Sequence, residues 1–210
     1  MSRNHKIVFV LFVLAALGLG VAVKVALDHR ESSFSPRQLD AGIILLPQHR
    51  AIAPLKMTDQ DGQPVSLDQL KGKWSLLFFG YTFCPDICPT TLAQLRQIKM
   101  ELPKDSVARL QVILVSVDPA RDTPAKLKEY LGYFDQDFRG FNAPVPVLAE
   151  FAKAVSMPFV EADTSKPNYT VSHSGNLAVI GPDGTQRGFI RAPFNTQKLV
   201  AQLPEMLRGD

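Results

Sequence analysis

The chain has 210 residues, 46% hydrophobic and 20% charged, a composition that fits one globular domain with appendages and excludes a disordered or low-complexity protein. The net charge of +3 belongs to the amino end: Arg3, Lys6 and Lys24 precede Asp28, and the remaining 20 basic residues balance 20 acidic ones. No basic face is left for nucleic acid, and no nucleic-acid-binding motif is present.

Residues 7–23 are 17 consecutive apolar or glycine residues, and extension to Leu27 admits only Lys24. As a helix, residues 7–27 span roughly 31 Å, about one hydrocarbon core. Lys24, near the far end, can snorkel to the interface. A cleaved signal peptide is the alternative, but the run exceeds the usual apolar region and no Ala-x-Ala site follows it. Residues 1–27 therefore read as a cytoplasmic stub and a single transmembrane anchor. Arg3 and Lys6 keep the amino end in the cytoplasm and put the rest of the chain outside, where thiols tend to oxidise. Residues 28–42 are polar and read as a tether, and residues 43–210 as the folded domain.

Within the domain, Asp59-Gln60-Asp61-Gly62 is a turn signal between two short extended pieces, hence an amino-terminal hairpin. Residues 74–81 form an apolar run of strand length, predicted to be a central strand buried on both faces. Leu92, Leu95, Ile98 and Leu102 follow at helical spacing. Residues 111–117 give a second buried strand. Thr123 suits an N-cap and Pro124 the first helical position, with Leu127, Leu131 and Phe134 on one face. Leu148, Phe151, Ala152 and Val155 predict a further helix. Gly181-Pro182-Asp183-Gly184 joins a second hairpin of residues 176–180 and 186–190. Asn195 caps a last helix bearing Leu199, Val200, Leu203 and Leu207. Strand–helix–strand alternation with a closing hairpin predicts an α/β fold with a mixed sheet flanked by helices.

Cys84 and Cys88, in Cys84-Pro85-Asp86-Ile87-Cys88-Pro89, are the only cysteines. Loop-closure stabilisation grows with loop length, so a pair this close is a poor staple and reads as chemical. It falls where a buried strand gives way to a helix, whose unpaired amides and macrodipole favour a thiolate. Pro89 fits the first helical turn. The pair either moves electrons, holds a metal, or does both. Two sulfurs converging on one point suit a soft cation, Cu(I) before others.

A third ligand has few sources. His5 precedes the anchor, and His29 and His49 lie in the tether and its junction with the domain. His173, in Val171-Ser172-His173-Ser174-Gly175, is the only histidine well inside the domain. A lone histidine in a polar loop is more often incidental, and the cysteine pair raises its standing only moderately. A structural zinc site generally wants four protein ligands, and only three candidates are in range. Asp86 is either an outer charge near a metal or an exposed loop residue. Asp118 and Asp122 read as turn and helix-capping residues. Phe83 reads as a shield or partner contact, and Trp74 and Phe78 as core.

Three ordered motifs carry a family resemblance. Phe79-Gly80-Tyr81-Thr82-Phe83-Cys84-Pro85-Asp86-Ile87-Cys88-Pro89-Thr90-Thr91-Leu92 resembles the signature of the Sco/SenC family. Ser116-Val117-Asp118-Pro119-Ala120-Arg121-Asp122-Thr123-Pro124 resembles its second stretch. His173, followed by Ser174-Gly175-Asn176 and the Gly181 turn, matches the third. The similarity covers about residues 45–207, and the single anchor fits it. The resemblance implies a thioredoxin-like fold holding one copper, as Cu(I) and also Cu(II), through Cys84, Cys88 and His173. It implies delivery of copper to the dinuclear copper centre of cytochrome c oxidase subunit II, exchange with other periplasmic copper carriers, or upkeep of the centre's thiols. One departure stands out: Ser172 occupies a position that is acidic in many members.

Three functions follow. The first is a membrane-tethered copper metallochaperone, a carrier rather than an enzyme. The second is a thiol–disulfide oxidoreductase cycling Cys84 and Cys88 as a redox pair, with Cys84 attacking. The third is a structural or sensory domain that signals copper or redox state.

Overall fold

A predominantly apolar segment gains most when water reaches neither of its faces, and this fold is built around one. The computed structural model describes residues 36–209 and, in the amino-terminal stretch, residues 5, 12, 13 and 16–20. In chain order, helix α1 (Pro36–Asp40) leads into strand β1 (Ile43–Arg50). Strands β2 (Met57–Asp59) and β3 (Pro64–Val65) precede a 3-10 turn at Leu67–Leu70 and strand β4 (Trp74–Gly80). Helices α2 (Ile87–Glu101) and α3 (Lys104–Ala108) lead to β5 (Leu110–Ser116), followed by α4 (Pro124–Gly132) and β6 (Arg139–Asn142). The chain ends with α5 (Val145–Ala154), β7 (Phe159–Val160), β8 (Ser172–His173), β9 (Leu177–Ile180), β10 (Gln186–Ile190) and α6 (Thr196–Met206).

The main sheet runs β1-β10-β9-β4-β5-β6-β2-β3. All seven residues of β4 are buried at its centre. It pairs in parallel with β5 and antiparallel with β9, so the sheet is mixed. Parallel neighbours need a crossover, and α2 supplies it between β4 and β5. Its buried residues Cys88, Leu92, Leu95 and Ile98 lie at helical spacing along one face. Both predicted hairpins form, β2–β3 and β9–β10. The second turn closes through Gly184, whose φ of +79° suits a residue without a Cβ. Both predicted caps form as well. The Thr123 side chain accepts from the Lys126 amide at 3.3 Å, and the Asn195 side chain from the Lys198 amide at 3.0 Å. Each such cap is worth about 1 kcal/mol.

Several elements differ from the sequence reading. The stretch 36–42, read as tether, holds α1 and belongs to the same compact unit as the rest of Pro36–Asp210. Asp40 pairs with Lys198 at 2.8 Å, and Ala41 is buried. A five-residue helix is marginal alone and shows no readable period, so tertiary contact decides it. Strand β1 lacks clean alternation and gains its place by pairing with β10. Strand β6 is only four residues, Arg139-Gly140-Phe141-Asn142, with no β-branched side chain. The expected membrane span at residues 7–27 lies largely outside the described residues. Among those described, no helix is long and apolar enough to cross a membrane.

Candidate metal centre

The strand that forms the core also delivers the sulfurs. β4 ends at Gly80; Cys84 follows in the connecting loop, and Cys88 lies in the first turn of α2. Cys88 is fully buried and Cys84 is 9% exposed; both are free thiols. Gly80 is required here by close approach. A Cβ on it would lie 2.9 Å from Cys88 Sγ, 2.9 Å from Phe78 Cε1 and 3.2 Å from Leu114 Cδ1.

His173 arrives from 85 residues away in sequence. Strand β8 pairs with β7, opposite Phe159, and the Ser174 amide donates to the Pro158 carbonyl at 3.1 Å. This short ladder holds the imidazole over the cysteines. Its Nε2 lies 3.4 Å from Cys88 Sγ, and its Nδ1 lies 3.1 Å from the Ser174 carbonyl oxygen. A carbonyl can only accept, so Nδ1 carries the proton and Nε2 presents a lone pair toward the sulfurs. The rings of Phe78 and Tyr81 meet the imidazole edge to face at 5.7 and 5.9 Å. One ligand atom from each of Cys84, Cys88 and His173 lies within 4.8 Å of the other two.

Burial sets the charge states. Desolvation pushes the Cys88 thiol well above the ordinary range; the nearby Cys84 sulfur adds to this, and a hydrogen bond from the Tyr81 backbone opposes it. The expectation that the helix start favours a thiolate is therefore outweighed at Cys88. Desolvation lowers the His173 pKa, opposed by the Ser174 carbonyl. The metal-free pair is thus a neutral thiol donating to a neutral imidazole. Metal–ligand bonds of about 2.0–2.3 Å around one ion put trigonal ligands roughly 3.5–4 Å apart. Cys88 Sγ and His173 Nε2, 3.4 Å apart, already stand at about this spacing, and all three ligand atoms lie within 4.8 Å of one another. Two sulfurs and one imidazole form a donor set for a soft, low-coordinate cation such as Cu(I), and no further His, Cys, Asp or Glu joins the group among the described residues.

The other candidates fall elsewhere. Asp86 is exposed, lies outside the ligand group and makes no side-chain capping bond at its N-cap position. His49 lies on the surface, 2.9 Å from Arg187 Nη1 and 3.8 Å from Asp183. His29 is outside the described residues, and His5 belongs to the separate Met1–Ser35 unit. Phe83 is 50% exposed; Trp74 and Phe78 are core.

Asp118 and Asp122 do more than cap or turn, which corrects the sequence reading. Asp122 is fully buried, and its carboxylate accepts from the Thr82 amide at 3.1 Å, the Thr82 hydroxyl at 2.6 Å and the Ser116 hydroxyl at 2.7 Å. It thereby ties the cysteine loop to the end of β5. Asp118 accepts from Arg121 and, at 2.7 Å, from the Tyr169 hydroxyl. Local sequence suggested caps because both acids flank a helix start; the long-range partners were invisible to it. Asp122→Asn puts an amide N–H among groups that donate, and is expected to cost about 1–3 kcal/mol in urea unfolding. An unchanged midpoint would contradict this role.

Sequence reasoning also missed Tyr81 and Tyr169 as parts of the site. Tyr81 lies inside a quoted motif, and its hydroxyl accepts from the Val171 amide at 3.1 Å, two residues before His173. Tyr169 carries no local signal.

The chain is similar to known proteins over most of its length. A model of the SCO1/SenC family matches residues 46–208. A Stutzerimonas stutzeri protein, provisionally named copper-binding, is 48% identical over 170 residues, covering 81% of this chain and 83% of that protein. The structure of Bradyrhizobium japonicum ScoI with copper bound is 33% identical, with a TM-score of 0.65, covering 74% of this chain and 99% of the other. Yeast Sco1 with copper bound is 29% identical, with a TM-score of 0.69, covering 75% and 88%. The fold shared with these proteins is the thioredoxin-like mixed sheet flanked by helices.

Proposed function

This chain belongs to the SCO1/SenC family, and from that premise we propose that it is a copper metallochaperone holding one copper through Cys84, Cys88 and His173. The observation that carries the reading is the convergence of two sulfurs and an imidazole nitrogen lone pair within 4.8 Å. The copper is cargo. Binding of Cu(I) displaces the thiol protons, and the resulting thiolates and His173 Nε2 satisfy a soft ion without further ligands. The destination is the dinuclear copper centre of cytochrome c oxidase subunit II, with other periplasmic copper carriers as donors. Residues 7–27 serve as a single-pass anchor in the cytoplasmic membrane, and the copper domain works on its outer side. The apolar run and the charges of Arg3 and Lys6 support this placement.

The test is transfer. Copper-loaded protein mixed anaerobically with the reduced, metal-free copper domain of subunit II is expected to give up its metal. Retention of copper at equilibrium would overturn delivery to that partner.

The raised Cys88 pKa gives a pH signature. The thiol is protonated near neutrality, so each binding event releases at least its proton. Apparent Cu(I) affinity should therefore rise about tenfold or more per pH unit between pH 6 and 8. Burial lowers the His173 pKa, so its imidazole competes less with protons than a free one and adds less to the slope. A flat profile measured against a pH-corrected chelator would contradict the assignment.

A second reading has its own support: Cys84 reaches solvent while Cys88 does not. In thiol–disulfide exchange, the Cys84 thiolate attacks one sulfur of a partner disulfide and expels the other as a thiolate. Cys88 then loses its proton and displaces the partner's remaining sulfur from Cys84. The partner gains two electrons and two protons, and the Cys84–Cys88 pair becomes a disulfide. The same dithiol binds Cu(I), so the two roles are compatible.

A further inference from the structure

His173 rides on a two-residue strand, after a segment, residues 161–171, that contains no helix or strand. Something must fix that segment, because an imidazole displaced by an ångström no longer shares a metal with two sulfurs. The fixing groups converge on one side chain. The Arg121 guanidinium lies 3.6 Å from the ring centroid of Tyr169, 4.8 Å from that of Phe83 and 5.6 Å from that of Tyr81. Its Nη2 donates to the Tyr169 carbonyl at 2.9 Å, and its Nε donates to Asp118. Phe83 adjoins Cys84; Tyr169 is four residues before His173; Tyr81 contacts both the imidazole and the Val171 amide. One planar cation thus touches the cysteine loop and the histidine segment at once.

We propose that Arg121 is a positioning residue that sets where His173 stands relative to Cys84 and Cys88. It touches no ligand atom and acts through Tyr169, Tyr81 and Phe83. The chemistry demands a guanidinium. A flat fork donates in its plane to a carbonyl and a carboxylate while its face lies on an aromatic ring; a lysine ammonium is a point charge and cannot do both. The spectroscopic arm of the test rests on the copper reading; the metal-free arm does not.

The experiment compares the parent, R121K, H173A and the double variant R121K/H173A as full chains. In the metal-free proteins, amide hydrogen exchange at Val171 and Ser174, both hydrogen-bonded here, is expected to quicken in R121K by about tenfold or more relative to the helix α2 amides. In the copper-loaded proteins, R121K is expected to keep one copper and both thiolates but lose affinity roughly tenfold, the lower end for removal of groups that orient a metal ligand. The nitrogen coupling in its Cu(II) spectrum should weaken toward that of H173A. Adding R121K to H173A should then change affinity little, since the group it positions is already gone.

Parental exchange and a parental spectrum in R121K would overturn the proposal. So would an affinity loss of equal size in the H173A background, which would make Arg121 a general stabiliser. Were the parent to bind no copper, the copper reading would fall and amide exchange alone would decide the positioning role.

Discussion

Cys88→Ser is expected to abolish tight Cu(I) binding while leaving the fold in place. The serine hydroxyl stays protonated at any working pH and offers a hard oxygen where a soft cation needs sulfur. The loss should exceed the roughly 10–100-fold that removing an outer-shell partner costs, because a ligand itself is gone. Folding should survive, since the smaller hydroxyl can donate to His173 Nε2, which the thiol faces at 3.4 Å. Cys84→Ser should behave alike in copper binding, from a position nearer solvent. The check is an anaerobic competition titration of reduced protein against a Cu(I) chelator, with thermal unfolding alongside. Retained tight binding in Cys88→Ser would mean the buried sulfur is not a ligand.

The second large effect is that of Gly80→Ala. One methyl group at the end of β4 would lie 2.9 Å from Cys88 Sγ and from Phe78 Cε1, and 3.2 Å from Leu114 Cδ1. None of these is the free end of a flexible surface chain; all three residues are fully buried. Overpacking of this kind costs about 1–3 kcal/mol. The sulfur is the movable neighbour, so relief of the clash also displaces a ligand. Both stability and copper affinity should fall, unlike in Cys88→Ser, where mainly affinity falls. Urea unfolding and the same titration separate the two. Parental behaviour in both would show that the strand end yields more easily than its packing implies.

How much of this was legible in the sequence depends on the range of each interaction. The β4–α2–β5 unit could be read because its signals are local: a run of apolar residues from Trp74 broken only by Ser75, then apolar residues at helical spacing, then a second run. The caps at Thr123 and Asn195 and the Gly181–Gly184 turn were legible for the same reason. β1 was not, because its second half, Pro47-Gln48-His49-Arg50, has no apolar face, and its pairing with β10 lies some 140 residues ahead in the chain. β6 was hidden by Gly140, which a helix signal and a strand signal treat alike as a gap; the glycine is used because a Cβ would press on Leu131 at 2.9 Å.

The site divides along the same line. The cysteines announced themselves by spacing. Elimination left His173 only as a candidate, the family resemblance implied its role as a ligand, and the structure brings it to the cysteines through the β7–β8 ladder. The supporting groups stayed hidden. Asp122 looks like a helix-entry acid until Thr82, 40 residues earlier, is seen donating to it twice. Tyr169 has no motif, and its role appears only where Arg121 and Asp118 meet it. The expected thiolate at the helix start failed at Cys88 because burial, a tertiary property, outweighed a local dipole.

The most direct test of the central claim is copper X-ray absorption on anaerobically loaded protein, beside His173→Ala. Two sulfurs at about 2.2–2.3 Å and one nitrogen near 2.0 Å per copper, with the nitrogen lost in the alanine variant, is the result expected of a site built from Cys84, Cys88 and His173. A copper ligated only by nitrogen and oxygen, or a spectrum that His173→Ala leaves unchanged, would contradict it.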